Sequence, residues 1–154
     1  MNRLARDFAG ADIGSVFLYT HEAHPGENYP HHTSLEQKRG HAAALRDVLG
    51  VDRPILVDAL DGACHRRYGS MPNMTWIFDR RGQVLYKSDW TDAASVRDML
   101  EALAGLPERR RSGARIAPFQ VQRMEWREAD RGRFYEGLEL AGPKAVEEFR
   151  RAFG

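Results

Sequence analysis

The sequence predicts an α/β fold, with a small sheet covered by helices and followed by a helical extension. Two short apolar runs, at residues 15–20 and 54–58, have the length and the β-branched and aromatic content of buried strands. The helical stretch between them makes a strand–helix–strand unit, which favours a parallel pair because the chain must cross over. A hairpin at residues 74–86 and a further helix come next, so we expect all the strands to join one sheet.

The first two helices are indicated by apolar spacing and by a cap. Leu4 and Phe8 mark a short helix at the start of the chain. At residues 33–36, Thr-Ser-Leu-Glu has the form of a capping box, in which the Thr33 hydroxyl accepts from the amide of Glu36. The helix that follows should end near residue 49, before a glycine. Its predicted apolar face consists of Leu35, Ala42, Leu45 and Leu49.

The hairpin is preceded by a short helical segment at residues 61–68, with Asp61 as its cap. Apolar residues occupy both alternating faces of residues 74–78, which predicts a strand with little solvent on either side. Pro72 stands just before this strand, a sheet position that tolerates a residue without an N–H. The turn ends at Gly82, where a positive φ carries no penalty. The helix that starts near Asp92 should end at Gly105.

The composition changes after residue 104. Residues 105–115 contain Pro107, Gly113 and three consecutive arginines, which indicate a basic linker rather than a nucleic-acid patch because the chain as a whole is almost neutral. Residues 116–154 form a tail with Trp126 and further aromatics, and its second helix begins at Pro143 in the first helical position. These aromatics need burial against the domain at 1–104 or against a partner subunit.

The composition also argues against several classes of protein. The chain has 154 residues and a formal net charge of +1, so nothing favours nucleic acid or a membrane surface. No apolar run approaches the roughly 18 residues of a membrane span, and the first residues do not resemble a signal peptide. We therefore expect a cytoplasmic protein, and no pattern indicates a cofactor. Cys64 is the single cysteine, which excludes an intramolecular disulfide and a CxxC redox pair.

The loop after the first strand concentrates candidate functional residues. It carries His21, Glu22, His24, His31 and His32, at the carboxyl end of a strand, where open α/β sheets bind their ligands. A carboxylate beside histidines could exchange protons near neutral pH. The same residue types bind zinc, although the spacing matches neither a zinc finger nor an H-E-x-x-H helix, and we assign no metal ligands. A third interpretation is a polar surface loop.

Cys64 is a second candidate. It lies in Gly-Ala-Cys-His-Arg-Arg at residues 62–67, and this basic setting would lower the pKa of an exposed thiol. A cysteine on a short helix between a strand and a hairpin is also typical of a packed, unreactive side chain, which is the interpretation we favour.

Taken together, these residues are similar to those of the thioredoxin-like superfamily, and the chain resembles its iodothyronine deiodinase-like branch, including bacterial relatives. The matching stretches are Phe-Leu-Tyr-Thr-His-Glu-Ala-His-Pro at 17–25, His-Thr-Ser-Leu-Glu at 32–36, residues 68–72 and 82–87 around the hairpin, and Val-Arg-Asp-Met-Leu at 96–100. The first two are fairly specific together, whereas a proline before a hairpin is general in thioredoxin folds. The resemblance covers residues 1–104, and the tail has no counterpart.

The resemblance implies a thioredoxin-like fold, shortened at its N-terminus, in which Pro72 is a cis-proline that borders the substrate pocket with Met71. It implies that Glu22, His24 and His32 contact substrate and transfer protons. In that family a phenolic iodothyronine is reductively dehalogenated by a selenocysteine or cysteine nucleophile. The implied partners are therefore a small phenolic or halogenated aromatic substrate and a thiol reductant.

The chain departs from the family pattern at the nucleophile. That residue lies upstream of the first helix in the family, and Cys64 is on a different element, so we expect the oxidoreductase activity to be impaired. Two other functions stay open, a non-catalytic thioredoxin-fold binding or assembly module and a His-loop metal-binding protein. Loss of the first strand would expose a sheet edge, which the tail or a second subunit could cover, as in a homodimer.

Overall fold

The structure of the protein is a computed structural model, and it describes residues 1–115 and 128–154. The helices and strands follow the predicted order, and the mixed α/β class is confirmed. The described elements are α1 Asn2–Phe8, β1 Phe17–Tyr19, α2 Leu35–Asp47, β2 Ile55–Val57, α3 Ala63–Tyr68, β3 Thr75–Phe78, β4 Val84–Ser88, α4 Ala93–Arg111, α5 Arg131–Ala141 and α6 Pro143–Phe153. Trp126 of the predicted tail lies outside the described residues.

The strands form two separate pairs among the described residues, so the expectation of one sheet is wrong. β1 and β2 are parallel, with Phe17 opposite Ile55 and Tyr19 opposite Val57, as the crossover predicted. β3 and β4 form an antiparallel hairpin. β1 and β2 are only three residues long, and such short strands offer few backbone groups for a further neighbour. A thioredoxin-like arrangement therefore stays a prediction.

The chain divides into two compact units, and each sheet belongs to a different unit. The first unit contains residues 1–14 and the part of the chain from Asn73 to Glu128. Its core joins Leu4 and Phe8 of α1 to Val96 and Leu100 of α4. The hairpin contributes less to this core than the sequence predicted, because Phe78 is 41% exposed. The expectation that both faces of β3 lack solvent is therefore wrong.

The second unit contains residues 15–72 and 129–154. In it the two tail helices pack on each other through Leu138, Ala141 and Ala145, with partly buried aromatics around them. The loop at residues 26–28 is attached to their junction, since Asn28 N donates to Ala141 O over 3.0 Å. The tail helix that starts at Pro143 is confirmed, and residues 129–154 of the tail belong to the unit that holds the histidine loop. The predicted boundary at residue 104 and the homodimer stay predictions.

The peptide bond before Pro72 is trans, so the cis-proline implied by the resemblance is wrong. Pro72 lies in an exposed turn ahead of β3, and Met71 beside it is 42% exposed. An X–Pro bond favours trans by about 0.5–1 kcal/mol, and the bond before Pro72 follows that preference.

Helix boundaries differ from the predictions at three points. α4 continues past Gly105 and through Pro107 to Arg111, so residues 105–111 are helical rather than a linker. The end is stabilised by the Ser112 hydroxyl, which donates to Arg109 O, and by an ion pair between Arg111 and Glu108. The cap of α2 is shifted by one residue, because Ser34 Oγ accepts from Gln37 N while Gln37 Oε1 accepts from Thr33 N. In α3 the N-cap position is Gly62 rather than Asp61, but the predicted side-chain acceptor is present, because Asp61 Oδ1 accepts from Ala63 N over 3.2 Å.

Candidate functional site

The structure brings two of the predicted catalytic residues, Glu22 and His32, together at the end of β1. Tyr19, the last residue of β1, is buried, and its hydroxyl donates to Glu22 Oε1. The same hydroxyl oxygen lies 2.9 Å from His32 Nε2. The short strand thus ends on a side chain that joins the carboxylate to the imidazole, and Tyr19 was absent from the predicted site.

The hydrogen-bond pattern assigns the tautomer of His32. The tyrosine hydroxyl has one hydrogen, which it donates to Glu22. His32 Nε2 must therefore carry the hydrogen in its contact with Tyr19, and a neutral ring then has an acceptor at Nδ1. In this arrangement hydrogen bonds lead from His32 through Tyr19 to Glu22.

His41 from α2 completes the cluster, and the sequence analysis did not predict it. Its Nδ1 lies 3.5 Å from Glu22 Oε1, within range of an ion pair but outside hydrogen-bond geometry. The ring centroids of His41 and His32 are 5.0 Å apart. The donor atoms of Glu22, His32 and His41 all lie within 4.8 Å of one another, so these residues are a candidate set of cation ligands. We call Tyr19, Glu22, His32 and His41 the proton cluster.

Burial governs the protonation of the cluster. It lowers the pKa of His32 below its ordinary value, and the neighbouring His41 lowers it further. Burial also raises the pKa of Tyr19 well above its ordinary value, with an added contribution from the hydrogen bond to Glu22. Both groups are therefore held neutral near pH 7.

His32 also lines a cleft of about 350 Å³ formed by residues 20–66 of the second unit. This histidine cleft is lined by Thr20, His21, His31, His32, Lys38, Leu60, Asp61, Gly62, His65 and Arg66. The rings of His21 and His65 face each other across 5.0 Å between centroids. Lys38 is only 1% exposed, and its ammonium donates to Ala59 O over 2.9 Å. The cleft is thus rich in basic groups and is adjacent to the proton cluster through His32.

His24 is placed among the aromatics of the tail helices. Its ring makes edge contacts with Phe134 and Phe149, at centroid distances of 5.4 and 5.5 Å. It lines a smaller cavity of about 140 Å³ beside α6, and burial lowers its pKa. His24 is therefore absent from the contacts that join Glu22 to His32.

Cys64 lies on α3, and its backbone is fixed by a buried carboxylate. Asp58, only 3% exposed, follows β2 and accepts from Cys64 N and from His65 N, each over 2.9 Å. Burial by itself would raise the pKa of Asp58, but the backbone donors lower it below the ordinary value. Asp58 thereby fixes the first turn of α3, which carries His65 into the cleft.

Met71 and Pro72, the predicted pocket residues, are not among the residues that line the histidine cleft. Met71 is connected to it indirectly, because its carbonyl oxygen lies 2.9 Å from His65 Nε2.

Among the described residues, no helix combines the length and apolar character needed to cross a membrane.

No family model, no curated protein and no solved structure in the comparisons matches the chain. The resemblance to the deiodinase-like branch therefore depends on its sequence motifs alone.

Proposed function

We propose that the proton cluster moves protons to and from a small aromatic molecule bound in the histidine cleft, during a thiol-dependent reductive dehalogenation. The observation that carries the proposal is the hydrogen-bonded series from cleft-lining His32 through Tyr19 to Glu22. The geometry supports the proton route, and the type of reaction comes from the Glu-Ala-His-Pro and His-Thr-Ser-Leu-Glu motifs.

The series suits proton transfer because each member can both give and take a hydrogen. When His32 takes up a proton at the cleft, it can pass its other ring proton to the Tyr19 hydroxyl. Tyr19 can in turn pass a proton to the Glu22 carboxylate, to which it is hydrogen-bonded. Tyr19 serves as a neutral relay, since its burial disfavours the phenolate. Glu22 orients the hydroxyl and stabilises positive charge that develops on His32.

The overall chemistry is balanced by two thiols. The aryl carbon–halogen bond breaks, a carbon–hydrogen bond forms, and two thiols are oxidised to one disulfide with release of the hydrogen halide. The cluster supplies the proton to the ring carbon and accepts the protons that the thiols lose. Because Cys64 is the only cysteine of the chain, at least one of the two thiols belongs to the reductant, for which a small dithiol suffices.

The test is iodide release from an iodinated phenol in the presence of dithiothreitol. Tyr19→Phe and His32→Ala should each lower the rate by about 10²–10⁴-fold, the usual contribution of a positioned acid or base. Tyr86→Phe is the matched control for Tyr19→Phe, since Tyr86 lies on β4, outside the lining of the cleft and outside the proton cluster. His24→Ala in the same assay tests the role implied by the resemblance.

Two results would refute the proposal. If the wild-type chain is inactive with dithiol, the reductive reaction is ruled out. If His32→Ala reacts at the wild-type rate, the proton route through His32 is ruled out. Circular dichroism spectra of each variant separate lost chemistry from lost folding.

A second candidate function is divalent metal binding by Glu22, His32 and His41. The carboxylate oxygen lies 3.5 Å from His41 Nδ1 and 4.0 Å from His32 Nε2. Zinc bonds of about 2.0–2.2 Å to nitrogen and oxygen would need these separations to shorten only slightly. The two functions exclude each other, because a metal ion would occupy the atoms that the proton route uses.

Metal analysis of protein purified without a His tag decides between them. Stoichiometric zinc that is lost in His41→Ala and kept in His31→Ala would support the metal site. Metal-free protein that also fails to take up added zinc at micromolar concentration would eliminate it.

A further inference from the structure

The histidine cleft carries an unusual excess of basic groups, and the most informative is a buried lysine. Six of the ten lining residues are Lys, Arg or His, against one acid, Asp61. Asp61 is already paired, since its carboxylate lies 3.2 Å from Arg66 Nη2. Apart from Arg66, Lys38 is the lining residue that carries a permanent positive charge, and no second acid among the lining residues pairs with it.

Lys38 is the fixed charge of this cleft. Burying an ammonium ion is costly unless it is paired or well hydrogen-bonded. Ala59 O uses one of its three N–H donors. The charge of Lys38 contributes to the lowered pKa of Asp58, but the Asp58 oxygens accept hydrogen bonds from the backbone N–H groups of Cys64 and His65. Lys38 thus retains hydrogen-bonding capacity and positive charge for a ligand in the cleft.

The surroundings of Lys38 are suited to an aromatic acid rather than to a bare ion. The volume of about 350 Å³ falls within the range of small-molecule pockets, and Leu60 adds an apolar contact to the lining. His21 and His65, with ring centroids 5.0 Å apart, offer planar surfaces, while the Nε2–H of His65 is used by Met71 O. An oxyanion at Lys38 with an attached ring would use both the charge and the flat surfaces.

We propose that the histidine cleft binds a small organic anion, a carboxylate or phosphate joined to a group of about one ring, with the Lys38 ammonium as its anchor. This inference rests on the proposed function only in taking the same cleft as the substrate site, and it defines the substrate class there. A lysine ammonium is a compact charge suited to either oxyanion, and the shared chemistry is a negatively charged oxygen group.

The experiment compares benzoate and phenyl phosphate with benzamide, a neutral molecule of nearly the same shape as benzoate, by isothermal titration calorimetry. Wild-type protein should bind the anions at least 10-fold more tightly than benzamide. Lys38→Met should weaken anion binding by about 10–100-fold, the value of a hydrogen bond to a charged group, and leave benzamide unchanged. Lys144→Met is the matched control, because the Lys144 side chain is exposed on α6 and does not line the cleft.

Equal affinity for benzoate and benzamide, or wild-type anion binding by Lys38→Met, would overturn the inference. If Lys38→Met does not fold, NMR mapping of wild-type protein takes its place. Benzoate should then shift the amides of residues 20–22, 38 and 60–66, and shifts confined to other surfaces would refute the site. The binding experiment contains no thiol and no halogenated molecule, so a failure of dehalogenation would not affect its outcome. A chain that dehalogenates neutral phenols but does not bind benzoate would refute the anion site and leave the proposed function standing.

Discussion

Replacing Asp58 by Asn should destabilise the second unit and release the first turn of α3. Asp58 is 3% exposed, and its two oxygens accept from Cys64 N and His65 N at 2.9 Å each. An Asn side chain keeps one acceptor oxygen and turns an NH₂ group towards the other backbone N–H. One charge-assisted hydrogen bond is lost, the other becomes neutral, and a buried donor stays unsatisfied, so we expect a loss of about 2–4 kcal/mol in the free energy of unfolding.

The effect should depend on pH in a defined direction. The pKa of Asp58 is lowered in the folded state, so its charge stabilises the fold above its unfolded pKa of about 3.9. That contribution is lost as the pH falls through the lower folded pKa. The stability difference between wild type and Asp58→Asn should therefore be constant near neutral pH and shrink as the solution is made more acidic than about pH 4.

The assay is urea unfolding by far-ultraviolet circular dichroism across this pH range, together with hydrogen exchange of the Cys64 and His65 amides. Exchange at these amides should accelerate in Asp58→Asn because they lose their acceptors. Asp61→Asn is the matched control; its ion pair with Arg66 is exposed and such pairs contribute only about 0–1 kcal/mol, while the Asn side chain keeps an acceptor oxygen for Ala63 N. An Asp58→Asn protein as stable as wild type, or a difference that persists undiminished in acid, would refute the reasoning.

The remaining predictions concern packing and capping. A Cβ on Gly26 would overlap Ala141 O, so Gly26→Ala should cost roughly 1–3 kcal/mol and loosen the tail helices, as measured by thermal unfolding. Gly40→Ala is the matched change, since a Cβ at Gly40 in α2 would meet no neighbouring segment within 4 Å, and it should raise the free energy of unfolding by about 0.5–1 kcal/mol. Equal effects of the two substitutions would contradict the close approach at Gly26. Asp92→Ala removes the acceptor for Ser95 N at the start of α4 and should cost about 0.5–2 kcal/mol, monitored by tryptophan fluorescence; an unchanged midpoint would show that the cap is dispensable.

Local chemistry in the sequence determined the order of the elements. The apolar runs predicted β1 and β2, and the crossover between them predicted their parallel pairing. Gly82 ends its turn with φ of +81°, as predicted, because a glycine tolerates that backbone. Glu22 and His32 could be selected as candidates because they follow a strand in one polar loop. These features depend on residues close in sequence, so the pattern of residue types is sufficient.

The tertiary structure decided which faces are buried, and this changed the site. The apolar pattern of α2 predicted a face that included Leu35, Ala42 and Leu49. Ala42 is buried as predicted, but Leu35 and Leu49 are exposed, and the helix also buries Lys38. His41 therefore reaches Glu22, and Lys38 reaches the cleft, which no local pattern indicates. Likewise, Pro72 is trans and His24 packs on tail aromatics more than 100 residues away. Such contacts depend on where distant segments meet, and burial energy between them outweighs the preference of any single helix face.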